Sequence, residues 1–331
     1  MATWYAQATN TNINAANMWN SLPAGGGTVL PWPPAVGDVL VANGKTVTVN
    51  VSTIVTEVRN GTTGGATSGG VFRLAASVSL TANVYCEAGT ECVSTISGTA
   101  YIVGNCYGGN GAGQRGAVTA GSGHALIITG NAYGGTGSDA HGIGVATSGT
   151  TSITLTGNAY GAGGDGVNAG TNATSVTITG GVYGSSTAGT RHGVRNQGTG
   201  TVTVTGNAEA GSTAAGASNT STGTLTISGY AQASTTQPAV SNSAQGSVTV
   251  GETRSASNGL GAVTGAFRFA SATAAKTMPY TPDGQISMTV LDVAAIVPAE
   301  SDVRKGLVYG DGAYTGTLQL GRNRTSMTGR F

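Results

Sequence analysis

A ten-residue phrase, Ser152-Ile153-Thr154-Leu155-Thr156-Gly157-Asn158-Ala159-Tyr160-Gly161, recurs in variant form through the middle of the chain and limits what the chain can become. Aligned on Gly157, its counterparts fall at Ala82, Gly104, Gly130, Gly180, Gly206 and Gly229, at intervals of 22 to 27 residues. A period of that size marks a stacked array in which each repeat is one unit of supersecondary structure. Intervals that vary by a few residues fit coils whose corners differ in length while their strands keep register.

The residue types within the phrase give direction. Two positions before the anchor stand Leu80, Ile102, Ile128, Leu155, Ile178, Val204 and Ile227; four before stand Val78, Ala100, Leu126, Ile153, Val176, Val202 and Leu225. Thr154/Thr156, Thr177/Thr179, Thr203/Thr205 and Thr226/Ser228 alternate with them. This is the period of two of a half-buried strand, with the apolar columns inward and the hydroxyls outward. After the anchor comes an asparagine column, Asn83, Asn105, Asn131, Asn158 and Asn207, which predicts an amide ladder at a corner. The next column is small and reads as inward: Val84, Cys106, Ala132, Ala159, Val182, Ala208 and Ala231. The next is Tyr85, Tyr107, Tyr133, Tyr160 and Tyr183, then Glu209 and Gln232. Because Glu and Gln take the place of Tyr, that column reads as outward. A second strand begins about ten residues further on, after Arg115, His141, Asp165, His192 and Ala215, a mostly polar column that also reads as outward.

No single repeat holds enough large apolar groups to fold alone, so stacking must supply the core. The expected fold is all-β: a right-handed parallel β-helix over residues 41–255, an N-terminal cap or docking segment at 1–40, and a small β-rich C-terminal module with a tail at 256–331. Within the cap, Asn14 to Leu22 suits a short helix ended by Pro23 and Gly25-Gly26-Gly27. Trp4, Trp19 and Trp32, the chain's three tryptophans, lie in this segment and suit either the filling of a cap or a docking surface. In the C-terminal module, Phe267-Arg268-Phe269 and Ile286 to Val290 read as strands, Pro298 to Lys305 as a helical turn or two, and Leu307 to Leu318 as a hairpin about a Gly/Asp turn. The coil at Ser247-Val248-Thr249-Val250-Gly251 slips register by one residue.

Among 331 residues, 57 are Gly and only 8% are charged, with a net charge of +1. A chain without a basic run leaves no footprint for phosphate neutralisation, so nucleic acid is not an expected partner. No apolar run reaches membrane-spanning length. The opening residues lack the basic and apolar regions of a secretory signal, which predicts synthesis in a cytoplasm. With three cysteines, a disulfide framework is not expected. Cys106 reads as buried filler, while whether Cys86 and Cys92 pair after release into an oxidising medium is left open by the sequence.

Three chemistries merit weighing. Arg115, His141, Asp165 and His192, with Asp139 one loop away, form the best cluster for acid–base work on a glycosidic bond, but the matching positions differ and no third carboxylate joins them. His141, Asp165 and His192 in successive coils could converge on a zinc ion. The outward Thr-x-Thr pairs resemble an ice-binding hydroxyl array, short and interrupted by Tyr101 and Ile127. In each case the plain reading is a solvated outward column, and neither a catalytic residue, a metal nor a cofactor is assigned. The tyrosine column is the stronger candidate: an outward aromatic stripe suits a seam between subunits or contact with glycans.

The stretch from Val297 to Leu318, VPAESDVRKGLVYGDGAYTGTL, resembles a segment common in tailed-phage virion proteins, of the form P-A-x-S-D-V-R-x-G-x-x-Y-G-x-G-x-x-T-G-T-L. Gly37 to Lys45, leading into strands, is similar in style to phage structural proteins. The resemblance covers about twenty residues and implies a virion component on the particle exterior, such as a head decoration, fibre or spike. It further implies a homotrimer, with the tyrosine column at its seam, contacts to other virion proteins in capsid or tail, and host surface glycans as further partners. Trp4, Trp19 and Trp32 at one end, and Arg322, Arg324, Arg330 and Phe331 at the other, are then the docking candidates. A tailspike that degrades polysaccharide is the competing class, and an ice-binding or adhesin solenoid a third.

Overall fold

The computed structural model is a right-handed parallel β-helix. It describes residues 2–254 except for segments 62–68, 88–91, 110–114, 117–122, 139, 146–150, 172, 187–188, 212, 235–236 and 244–245; beyond 254 it describes the backbone of four two-residue strands. Among the described residues every regular element is a strand.

The inward columns have the burial their residue types demand. Leu80, Ile102, Ile128, Leu155, Ile178, Val204 and Ile227 are buried, and so are Val84, Cys106, Ala132, Ala159, Val182, Ala208 and Ala231. Each strand pairs in parallel with its counterpart one coil on. Ala100, Leu126, Ile153, Val176, Val202, Leu225 and Val248 follow one another as Cα partners. These strands and the short ones after the corner form an 18-stranded sheet, the long wall of the solenoid. A second wall carries a four-stranded sheet from Thr11–Asn12 to Val93–Thr95 and a six-stranded sheet from Ile143–Val145 to Val263–Thr264. Burying each Leu or Ile along the thin core contributes about 1.5–3 kcal/mol. The expected slip is present: Ile227 faces Val250 and Tyr230 faces Glu252, so one partner residue is skipped.

Glycine holds the anchor position for a steric reason. At Gly104, Gly130 and Gly157 the backbone has φ of 148°, 149° and 151°, and a Cβ at each would overlap the carbonyl of the preceding anchor. Only a residue without a side chain permits that approach.

The cap departs from expectation. Asn14 to Leu22 is not a helix: turns lead to a strand at Trp19–Asn20, which pairs antiparallel with Thr3–Ala6. Asn17 takes a left-handed φ of 59°, and the Trp19 indole N–H donates to the Ile13 carbonyl at 2.7 Å. An asparagine-rich stretch that yields left-handed turns, together with an aromatic ring that fills the solenoid's end, outweighs local helix preference. Thr3–Ala6 pairs in parallel with Val39–Val41, so that strand of the cap continues the long wall. The Asp38 carboxylate binds the segment down, accepting the Ala2 N–H at 2.8 Å and the Ala35 N–H at 2.9 Å. Trp4 and Trp19 are 4% and 1% exposed, so they fill the cap and their rings are not available for docking; Trp32 is half-buried against the same core.

In the C-terminal module, Arg268–Phe269 continues the long wall and Val308–Tyr309 pairs antiparallel with Tyr314–Thr315, the expected hairpin. The Ile286 to Val290 strand, the Pro298 to Lys305 helix and the tail residues Arg322, Arg324, Arg330 and Phe331 lie outside the described residues.

Candidate functional site: an asparagine and tyrosine ladder

Tyr85, Tyr107, Tyr133, Tyr160 and Tyr183 follow one another as register partners on the outer side of the corner, half-buried. Their rings stack with centroids 4.7, 4.9, 5.0 and 5.0 Å apart and planes within 11° of parallel. Each stacked pair contributes about 0.5–1.5 kcal/mol beyond its buried area. The asparagines two residues earlier bind this stack together. Asn83, Asn105 and Asn131 each accept, through Oδ1, the backbone N–H of the asparagine one coil on, at 3.0, 2.8 and 2.8 Å. Asn158 does the same for the Gly181 N–H at 2.7 Å. The Nδ2 groups of Asn105, Asn131 and Asn158 donate to the hydroxyls of Tyr107, Tyr133 and Tyr160 at 3.1, 3.2 and 3.1 Å. Sequence reasoning found both columns but not the bond between them; the constant Asn-x-Tyr spacing was its signal.

Charged pairs of the same two-residue spacing end the ladder. Arg59 is the register partner of Tyr85, with its guanidinium 4.6 Å from the ring centroid and bonded to Glu57 and Glu87 at 2.7 and 2.6 Å. At the far end Arg254 is bonded to Glu252 and lies 3.9 Å over Tyr230, whose hydroxyl donates to Glu209. That hydrogen bond, with burial, raises the Tyr230 pKa. With the inner ring faces taken up by one another and the end face of Tyr85 by Arg59, the ladder presents mainly ring edges and hydroxyls to a partner. Stacking of a sugar on its inner faces is closed off.

The polar column on the second wall is not the solvated row that was expected. His141 and Asp165 are 5% and 3% exposed, while Arg115 and His192 are half-buried. The column works coil to coil. His141 Nδ1 accepts the Asp165 N–H at 2.9 Å, and Asp165 Oδ1 accepts the His192 N–H at 2.7 Å. A His141 ring that accepts at Nδ1 carries its proton on Nε2, 3.0 Å from Asn168 Nδ2, so the amide turned over, with its oxygen accepting there, fits this tautomer. That orientation also satisfies an oxygen otherwise buried without one. His192 donates from Nδ1 to the Ala215 carbonyl at 3.2 Å. Burial, opposed by that bond and aided by Arg195, lowers the His192 pKa to about 4. No group of three His, Cys, Asp or Glu suited to one metal ion occurs among the described residues. Asp139 lies outside them.

The hydroxyl array is wider than its Thr-x-Thr pairs suggested. Ser152, Ser175, Thr201, Thr224 and Ser247 are successive register partners, and so are Thr154, Thr177, Thr203, Thr226 and Thr249. Thr156, Thr179, Thr205 and Ser228 are exposed beside them.

The cap carries an exposed feature that tryptophan counting missed. Residues 1–37 contain no Asp, Glu, Lys, Arg or His. Leu22, Val29 and Val36 on that segment are 51%, 49% and 81% exposed. The absence of charge over so long a stretch was legible in the sequence. Comparison with family models, with curated proteins and with solved structures finds no match to this chain.

Proposed function

We propose that the chain is a non-enzymatic structural protein of the exterior of a tailed-phage particle, a stiff appendage or capsid decoration that docks by its capped end. The observation that carries this reading is the capped end of the rod: a solenoid wall stitched by side chains is closed by a segment, 1–37, that has no charged side chain and exposes Leu22, Val29 and Val36. An uncharged apolar end desolvates cheaply against another protein. The Val297 to Leu318 resemblance supports the virion setting. The reading includes a homotrimer with the tyrosine edges at or near its seam, and it leaves host glycans to the flanks. A polysaccharide-degrading spike is disfavoured because Asp165, its best carboxylate, is buried and bonded to the His192 backbone.

Labelled antibody viewed on intact particles tests the proposal. Label over the head indicates decoration, label at the tail indicates a fibre, and unlabelled particles refute both. Release of sugar by the purified protein, lost in Asp165→Ala, would restore the enzyme reading.

The in-register hydroxyl columns favour a second reading, in which that face binds an ordered lattice such as ice. Wild-type protein would then shape growing ice crystals and Thr203→Lys would not; ice that grows alike with both proteins excludes it.

A further inference from the structure

Cys86, Cys92 and Cys106 are all buried and none is in a disulfide, and all three line one cavity of about 10 Å³, with Val84, Ile102 and Arg115 in its wall. That volume is about one water molecule's worth of room. The register decides which thiols can reach each other. Cys106 is the Cα partner of Val84 in the preceding coil. Cys86 lies two residues beyond Val84 and continues the ladder, its N–H donating to the Tyr107 carbonyl at 2.8 Å. Cys86 and Cys106 are therefore diagonal neighbours, one rung of about 4.8 Å and two residues of about 3.3 Å each apart, which puts their Cα atoms roughly 8 Å from one another. A disulfide needs a separation below about 7 Å. Cys92 comes from the other side of the corner. Its thiol donates to the Tyr85 carbonyl at 3.3 Å, which sets the sulfur against the peptide joining Tyr85 to Cys86.

We propose that Cys86 and Cys92 form an oxidation-dependent clamp across this corner, while Cys106 remains a thiol. A small external disulfide of the glutathione type is the oxidant. One thiolate of the pair attacks a sulfur of that disulfide, expelling one small thiolate and leaving a mixed disulfide. The second protein thiolate attacks the protein sulfur of the mixed disulfide, forming the internal S–S bond and expelling the other small thiolate. The two protons lost by the cysteines end on the two expelled thiolates, and the protein gives up two electrons. The cavity supplies room for the sulfurs to close to about 2.05 Å. Burial, with Cys86 as a neighbour, raises the Cys106 pKa, which keeps that thiol protonated. The clamp is independent of any phage setting.

The test uses the full chain, incubated with oxidised glutathione and compared with a reduced sample. Cleavage at Glu91 and Tyr101 puts the three cysteines on separate peptides. The expected result is a Cys86–Cys92 linked pair, a fall from three titratable thiols to one after denaturation, and a melting midpoint raised by a few degrees and restored by reductant. Cys106→Ala keeps the link; Cys92→Ala forms no internal link and shows no gain in midpoint. A Cys86–Cys106 link, a link between chains, or three thiols surviving oxidation overturns the proposal. Should Cys92→Ala fail to fold, the linkage map of the wild-type chain decides alone.

Discussion

Asn131 and Tyr133 are joined side chain to side chain, the Asn131 Nδ2 donating to the Tyr133 hydroxyl at 3.2 Å while the Asn131 Oδ1 accepts the Asn158 N–H of the next coil at 2.8 Å. One amide thus fixes an aromatic ring and a backbone in two different coils. Replacing Asn131 by Ala removes both bonds and leaves the Asn158 N–H without its partner. The expected cost is about 2–3 kcal/mol, whereas Tyr133→Phe, which loses one bond and keeps the stack, should cost about 1 kcal/mol. Urea midpoints of the two variants check the order; equal costs would mean that the amide's coil-to-coil bond carries nothing.

Gly130 should be intolerant of any side chain. Its φ of 149° is strained for other residues, and a Cβ would run into the Gly104 carbonyl. Gly26 shares a positive φ but has open space around it. Gly26→Ala therefore carries the conformational strain alone, about 1–2 kcal/mol. Gly130→Ala adds the backbone collision and should exceed about 3 kcal/mol. Soluble yield and thermal midpoint of the pair separate strain from collision.

The walls of the solenoid were legible because stacking repeats each decision. An inward position is apolar in coil after coil, and its outward neighbour is mostly Thr, Ser, Asn or Tyr, so alternation and register are both written many times. Corners are written less clearly. At His141 and Asp165 the chain turns next to Gly142 and Gly166, the period of two breaks, and the side chains fold in to bond the next coil's backbone. A polar residue beside a turn reads as solvated unless that bond is known. The cap was misread for a related reason. Asn14 to Leu22 occurs once, with no repeat to correct a local preference, and the strand partner of Trp19, Ala6, lies outside the stretch itself.

Stability should fall below neutral pH partly through His192. Its pKa is about 4 in the folded chain, chiefly through burial, against 6.5 when unfolded. The unfolded state thus binds the extra proton between those values. The contribution is fully present above pH 6.5, is lost as pH falls through that window, and levels off below about 4. A shift of this size corresponds to about 3 kcal/mol. His192→Gln should flatten the rise in unfolding free energy between pH 4 and 6.5; an unchanged slope would assign it to other groups.

Asp38 should hold the cap to the first coil. Its two carboxylate oxygens accept the Ala2 and Ala35 N–H groups, and the residue is buried. Hydrogen bonds to a charged acceptor contribute about 1.5–3 kcal/mol each, so Asp38→Ala should loosen residues 2–37 by roughly 3 kcal/mol or more. The sequence supplies a clean reporter, since Trp4, Trp19 and Trp32 are the chain's three tryptophans and all lie in this segment. Trp4 and Trp19 are buried, so release of the cap exposes them to water and shifts their emission to the red. Far-ultraviolet circular dichroism reports the strands of the solenoid, whereas the Asp38 carboxylate bonds Ala2 and Ala35 in the cap segment. In Asp38→Ala the fluorescence transition should move to lower urea while the dichroism transition stays near its wild-type midpoint. If both move together by the same amount, the cap is part of one cooperative unit with the coils, and Asp38 stabilises the whole rod rather than its end.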